Sequence, residues 1–130
     1  MSNSNLAELA KDASTRSHSP YSKAKVGSAV ETAEGKIYQG CNIENSSFGG
    51  TVCAERVAIW KAVSEGHMKM KRIHVYTVDG WPPCGMCLQV MTEFSDENLE
   101  ISFSNAQGKT TTKKLKELLT HAFTPEHLKV

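Results

Sequence analysis

A three-layer α/β/α fold, with one mixed central sheet covered by helices on both faces, is predicted by three features of this chain. Helix-like and strand-like apolar patterns follow one another in the order α, β, β, α, β, α, β, α. The length of 130 residues suits one core, so residues 1–130 read as a single domain. Hydrophobic residues make up 39% and charged residues 22%, a balance too apolar for a disordered chain.

Each element has its own signal. Leu6, Leu9, Ala10 and Ala13 share one helical face, so Leu6 to Arg16 reads as an amphipathic helix. Ser17 to Pro20 break it. Val26 to Glu31 and Ile37 to Ile43 read as strands, and Glu34-Gly35 between them supplies a hairpin turn. Asn45 to Thr51 is a loop rich in Ser and Gly. Cys53 to Glu65 reads as a helix ending at Gly66. Its apolar residues cover most of its circumference, which predicts a largely buried helix. Arg72 to Val78 reads as a strand, followed by the turn residues Asp79-Gly80 and by Pro82-Pro83. Gly85 to Phe94 reads as a helix, Leu99 to Ser104 as a strand and Thr112 to Leu119 as a helix.

The charge pattern narrows the partners. Net charge is +1, so no global basic field favours nucleic acid. The clusters Lys69, Lys71, Arg72 and Lys113, Lys114, Lys116 read as solvated faces. The first residues, Met-Ser-Asn-Ser-Asn, lack a basic stretch followed by an apolar run, and no apolar stretch approaches a membrane span. A cytoplasmic location is therefore expected, with reduced thiols. There, four cysteines read first as metal or catalytic ligands and only second as disulfides.

Two short segments carry the chemistry: Cys53-Ala54-Glu55 and Pro83-Cys84-Gly85-Met86-Cys87. Each lies at the predicted start of a helix, where partial positive charge favours thiolate, the form that binds metal. Cys84 and Cys87 are one helical turn apart, so both sulfurs fall on one side. If the two helix starts meet, Cys53 completes a set of three sulfur ligands. Three protein ligands leave a tetrahedral position open for water, the pattern of catalytic rather than structural zinc. Glu55 stands two residues beyond a ligand, close enough to take that water's proton and later return it.

The two segments together resemble the zinc nucleoside and nucleobase deaminases, which use a glutamate that is not a ligand beside a zinc held by cysteines. Gly40-Cys41-Asn42-Ile43-Glu44-Asn45, followed by Cys53-Ala54-Glu55-Arg56, is similar to the homotetrameric cytidine deaminases. Pro20-Tyr21-Ser22-Lys23 and Lys25-Val26-Gly27 fit that family's N-terminal segment, and Phe123 in Ala122-Phe123-Thr124-Pro125 fits its C-terminal aromatic. The resemblance implies the cytidine deaminase-like fold and hydrolytic deamination of free cytidine or deoxycytidine to uridine or deoxyuridine plus ammonia, for pyrimidine salvage. It implies one Zn2+ per subunit, held by Cys53, Cys84 and Cys87, with hydroxide on the metal as nucleophile and Glu55 as proton shuttle. Asn42 and Glu44 match residues that bind the ribose 3′-hydroxyl, and Glu44 would repel a 3′-phosphate. The backbone around Ala54 and the carbonyl of Pro82 match groups that grip the base. Arg56 matches an arginine that hydrogen-bonds ligand sulfurs and offsets their charge. The family also implies a homotetramer with shared active sites, so Phe48 and Phe123 are expected in a neighbour's pocket.

Two positions depart from the family pattern. Ala24 stands where related sequences usually carry a phenylalanine against the pyrimidine, and Leu88 stands where an arginine often follows the last cysteine. Both keep open an alternative: a zinc deaminase of a modified or different cytosine-bearing nucleoside. A structural zinc module leaves Glu55 and the Asn42–Glu44 segment without a role. A thiol–disulfide oxidoreductase built on Cys84 and Cys87 ignores Cys53. Cys41 reads as a buried small hydrophobe on a strand. His67, His74, His121 and His127 have no metal-ligand spacing. Trp60 and Trp81 read as core or interface residues rather than platforms for a base.

Overall fold

The computed structural model of the protein describes residues 3–128. Helix α1 spans Asn3–Ser14, strand β1 Gly27–Thr32 and strand β2 Ile37–Cys41. A short 3-10 turn follows at Phe48–Gly50, then helix α2 at Ala54–Ser64 and strand β3 at Met70–Tyr76. The rest comprises α3 (Gly85–Glu93), β4 (Glu100–Ser104), β5 (Thr110–Lys114), α4 (Leu115–Leu118) and α5 (Pro125–Leu128).

The five strands form one sheet in the order β2-β1-β3-β4-β5. β3 and β4 are parallel, and the other neighbours are antiparallel. A parallel pair needs a crossover connection, and α3 supplies it. The hairpin predicted at Glu34-Gly35 forms: Gly35 has φ +87°, and its N–H donates to the Thr32 carbonyl. The mixed sheet and the helices on both of its faces match the expected class.

Alternation along β1 assigns the layers. Ala29 faces α1 and packs with Leu6, Ala10 and Tyr76. Val30 faces the other way, into a larger core with Ala58, Ile59, Ile73, Met91 and Ile101. Each such large apolar side chain contributes about 1.5–3 kcal/mol by leaving water. All six residues of β1 are buried, because strands flank it and helices cover both its faces. Glu31 is tolerated there because Arg72 Nε lies 2.9 Å from its Oε1. Two glycines permit the close helix packing. A Cβ at Gly27 would stand 1.8 Å from the Ala10 carbonyl oxygen, and one at Gly40 would stand 2.5 Å from the Ala54 carbonyl oxygen and the Ala58 amide nitrogen.

One element differs from the expectation. Residues 112–119 are not one helix: Thr110–Lys114 is an edge strand paired with β4, and only Leu115–Leu118 is helical. The leucines at 115, 118 and 119 carry the helical spacing, but the β-branched run Thr110 to Thr112 meets the open edge of β4. Cys53 is the N-cap of α2 rather than its first turn. Helix α2 is buried at Ala54, Glu55, Ala58, Ile59 and Ala62, while Trp60 on the same helix is exposed. Cys41 is half-buried on β2. Among the described residues no helix is long and apolar enough to cross a membrane.

Candidate active site and metal centre

The antiparallel pairings put the start of β1, the end of β2 and the end of β3 at one edge of the sheet. Helices α2 and α3 both begin there. Cys53 and Cys84 are their N-caps, each in extended backbone, and Cys87 lies in the first turn of α3. The sulfurs of Cys53, Cys84 and Cys87 all lie within 4.8 Å of one another. Among the described residues they are the one cluster of His, Cys, Asp or Glu able to hold a metal ion. None of the three is in a disulfide.

The sulfur spacing tests whether zinc fits. Two sulfurs each about 2.3 Å from a tetrahedral zinc stand about 3.8 Å apart. Cys53 Sγ and Cys84 Sγ are 3.8 Å apart. The three donors are of the right type, and this pair stands at the separation zinc requires. Cys84 is exposed toward the cavity while Cys87 is buried behind it, so the cluster has an open side. Arg56 Nη2 donates to Cys53 Sγ at 3.2 Å. Burial opposes the charge on Arg56, but its hydrogen bonds to Cys53 and Cys87 prevail and raise its pKa. The bond between Cys53 and Cys87 is the largest cause drawing the Cys53 thiol down to about 5, with Arg56 assisting. The same bond pushes Cys87 up, so without metal the two sulfurs share one proton. Leu88 is buried in the apolar core, so that position lends the sulfurs no charge.

Glu55 follows Cys53 by two residues and is only 3% exposed. Burial raises its pKa to about 7, and the nearby Cys53 thiolate adds to the shift. Its Oε1 is buried with no hydrogen-bond partner. A buried carboxyl oxygen left without a partner beside three thiols is costly for structure alone, and it is placed to accept a proton from a ligand.

A cavity of about 360 Å3 opens in front of this cluster, with Cys53, Glu55 and Cys84 in its wall. Asn42, Glu44, Ala54 and Pro82 line it too, so the residues expected to touch substrate surround one space. Asn42 and Glu44 also hold the preceding loop. The Val26 N–H donates to Asn42 Oδ1 at 2.9 Å, and Asn42 Nδ2 donates to the Ala24 carbonyl at 2.8 Å. The Tyr21 and Ser22 N–H groups donate to Glu44 Oε1 at 2.9 and 3.1 Å, and the Ser22 hydroxyl donates to Oε2. The Ser22 hydroxyl is the main cause lowering the Glu44 pKa. Capacity remains on both: a second amide N–H on Asn42 and free lone pairs on Glu44.

Of the two expectations for Trp81, core or interface, the structure overturns the core. Trp81 is neither core nor hidden: it is 51% exposed and lines the same cavity. Its position directly before Pro82 was the available signal. Thr77, at the end of β3, also lines the cavity, and its Oγ1 accepts the Trp81 N–H at 2.7 Å. Phe48 and Phe123 are not among the residues lining this chain's cavity. Phe48 is 73% exposed and meets Tyr21 edge-on, and Phe123 is 54% exposed and stacks on His127.

Comparison with known proteins agrees with this geometry. Residues 1–102 match the family model of the cytidine and deoxycytidylate deaminase zinc-binding region. The chain is 40% identical over 125 residues to the cytidine deaminase of Sporosarcina psychrophila, covering 95% of this chain and 92% of that one. It is 42% identical over 111 residues to that of Halalkalibacterium halodurans, covering 84% of each. The crystal structure of cytidine deaminase from Burkholderia pseudomallei superposes with a TM-score of 0.90 at 39% identity, covering 95% of this chain and all of that one.

Proposed function

The chain belongs to the cytidine and deoxycytidylate deaminase zinc-binding family, and from that premise we propose how its own residues deaminate a free nucleoside. The protein is a zinc-dependent enzyme that hydrolyses cytidine to uridine and ammonia. The observation that carries the residue assignment is the Glu55 carboxyl, buried and partnerless at Oε1, beside three thiols at zinc spacing.

Cys53, Cys84 and Cys87 hold the metal, and Arg56 offsets part of their negative charge. Bound there, zinc supplies Lewis-acid activation of a water molecule. Glu55 would relay both of that water's protons, one to N3 of the base and one to the departing amino group, and end the cycle as it began. A carboxyl with a pKa near 7 both accepts and gives at neutral pH. The carbon bearing the amino group exchanges that nitrogen for the water oxygen, so water and cytidine become uridine and ammonia. The first-turn N–H groups of α2, which have no acceptor inside the helix, and the Pro82 carbonyl orient the base. Asn42 and Glu44 bind the ribose 3′-hydroxyl through the capacity the loop leaves them.

Residues 1–130 act as one catalytic domain in this reading, working as a cytoplasmic homotetramer in pyrimidine salvage. Phe48 and Phe123 complete a neighbour's pocket, which accounts for their exposure in the single chain. The substrate is a free nucleoside, because an anionic Glu44 beside the sugar opposes a 3′-phosphate. The test is ammonia release from cytidine, deoxycytidine, cytosine and cytidine 3′-monophosphate. Turnover of the two nucleosides is expected, with the 3′-phosphate far slower. Efficient turnover of the 3′-phosphate would overturn the assignment of Glu44.

A further inference from the structure

The reaction cavity has an apolar side formed by Ala24, Val26, Val75 and Trp81. A second cavity of about 230 Å3 adjoins it, and Ala24, Val26, Thr77 and Trp81 line both. The second space is lined further by Lys23, Lys25, Val78 and Asp79, with the charged residues beside a mostly apolar wall. The Ala24 side is held from three directions: its carbonyl accepts from Asn42 Nδ2, its N–H donates to Ser22 Oγ at 3.0 Å, and Val26 N–H is tied to Asn42. The loop is thus fixed, and a methyl group is all that Ala24 presents. On the other side, the Trp81 backbone is tied to Thr77 and followed by Pro82-Pro83, while half of its surface is open. Backbone restraint with an open ring is what a stacking surface requires.

The pyrimidine itself dictates which edge meets this wall. On the reading above, C4 faces the thiol cluster, and N3 and O2 face Glu55 and the free amides of α2. The remaining C5–C6 edge carries only C–H groups and belongs against the apolar side. We propose, resting on that reading, that Trp81 and Ala24 set base specificity. Trp81 stacks on the pyrimidine, and the gap beside Ala24 receives an apolar group on C5. The substrate class then extends to cytosine nucleosides with C5 substituents larger than methyl.

The test pairs turnover with binding. Wild type should deaminate 5-propynylcytidine at a kcat/KM within about tenfold of cytidine, and Ala24→Phe should lower that ratio by about a further tenfold or more by closing the gap. Trp81→Ala should raise KM for both substrates about tenfold with kcat little changed, and Trp81→Phe should recover most of the loss. In Trp60→Phe protein the remaining indole is Trp81, and uridine and 5-propynyluridine should both quench its fluorescence saturably. A wild type that rejects 5-propynylcytidine by about a hundredfold or more while turning over cytidine overturns the proposal. So does a ratio indifferent to Ala24→Phe, or nucleoside binding without quenching. Saturable quenching by both nucleosides in a protein that releases no ammonia from cytidine upholds the wall and overturns the deaminase reading instead.

Discussion

The Glu55 carboxyl is held buried in the cavity wall by the first turn of α2, and the cost of burying it shows as a pKa lifted to about 7. Removing only its ability to move protons separates chemistry from architecture. Glu55→Gln keeps the side chain's size and some hydrogen bonding, so the three thiols keep their spacing. The variant is expected to retain about one zinc per chain, read by metal analysis. Its kcat should fall by about 10²–10⁴-fold or more, because general acid–base catalysis by one group supplies that much. A variant within a few-fold of wild type would remove Glu55 from the mechanism.

Two elements carry loads that single residues do not. Helix α2 starts where it does because Gly40 on β2 lets its first turn sit directly on the sheet. In Gly40→Ala the added methyl meets backbone atoms of Ala54 and Ala58 at 2.5 Å, so the helix must move rather than a side chain turn. Overpacking of this kind costs about 1–3 kcal/mol. Because Cys53 caps that helix, zinc affinity should fall with stability in Gly40→Ala. Gly27→Ala, whose added methyl meets α1 on the other face of the sheet rather than α2, should cost stability while zinc content holds. Strand β3 carries His74, which is buried with its Nε2 2.8 Å from Ser104 Oγ. Burial lowers its pKa from 6.5 to about 4. The unfolded chain therefore takes up a proton below about pH 6.5 that the folded chain refuses until about pH 4, and stability is lost as pH falls through that window. At about 1.4 kcal/mol per pH unit the loss reaches roughly 3 kcal/mol. Denaturation of wild type and His74→Gln should show their stability difference shifting by that amount between these limits, while groups common to both cancel. A difference flat with pH would place the imidazole in water.

For the whole molecule, the exposed aromatics make the strongest demand. Tyr21, Phe48, Trp60 and Phe123 all stand at least 45% exposed on the single chain. The proposed homotetramer would cover such side chains, which are costly to leave in water. Light scattering is expected to return about four chain masses at micromolar concentration, in keeping with the preference of oligomers for closed symmetry. The proposed sharing of pockets between subunits has a sharper consequence. Glu55→Gln subunits mixed with Phe48→Ala subunits should regain activity that neither has alone, because some interfaces then pair an intact Glu55 with an intact Phe48. A monomer in solution, or no recovery on mixing, would confine the active site to one chain.

The thiol cluster and Glu55 were legible in the sequence because their signals are local. Cys84 and Cys87 are one turn apart, Glu55 is two residues from Cys53, and both cysteine segments sit at helix starts whose polarity suits thiolates. The β1–β2 hairpin was legible for the same reason, through Glu34-Gly35. Long-range packing settled the rest. Thr110 to Thr112 has a local β-branched preference for strand that competes with the helical spacing of the following leucines; the unpaired edge of β4 decides between them. Trp81 reads as a core or interface residue in the sequence, and only the fold, through the end of β3, the Thr77 hydroxyl and Pro82, sets it beside the cavity. Asn42 and Glu44 could be named as polar site residues, but not as the clamp on Ala24 and Val26, since that clamp joins segments more than fifteen residues apart. Helical period and capping act over one or two turns, whereas strand pairing, cavity walls and the covering of Phe48 depend on which distant surfaces meet, and only the folded chain brings those together.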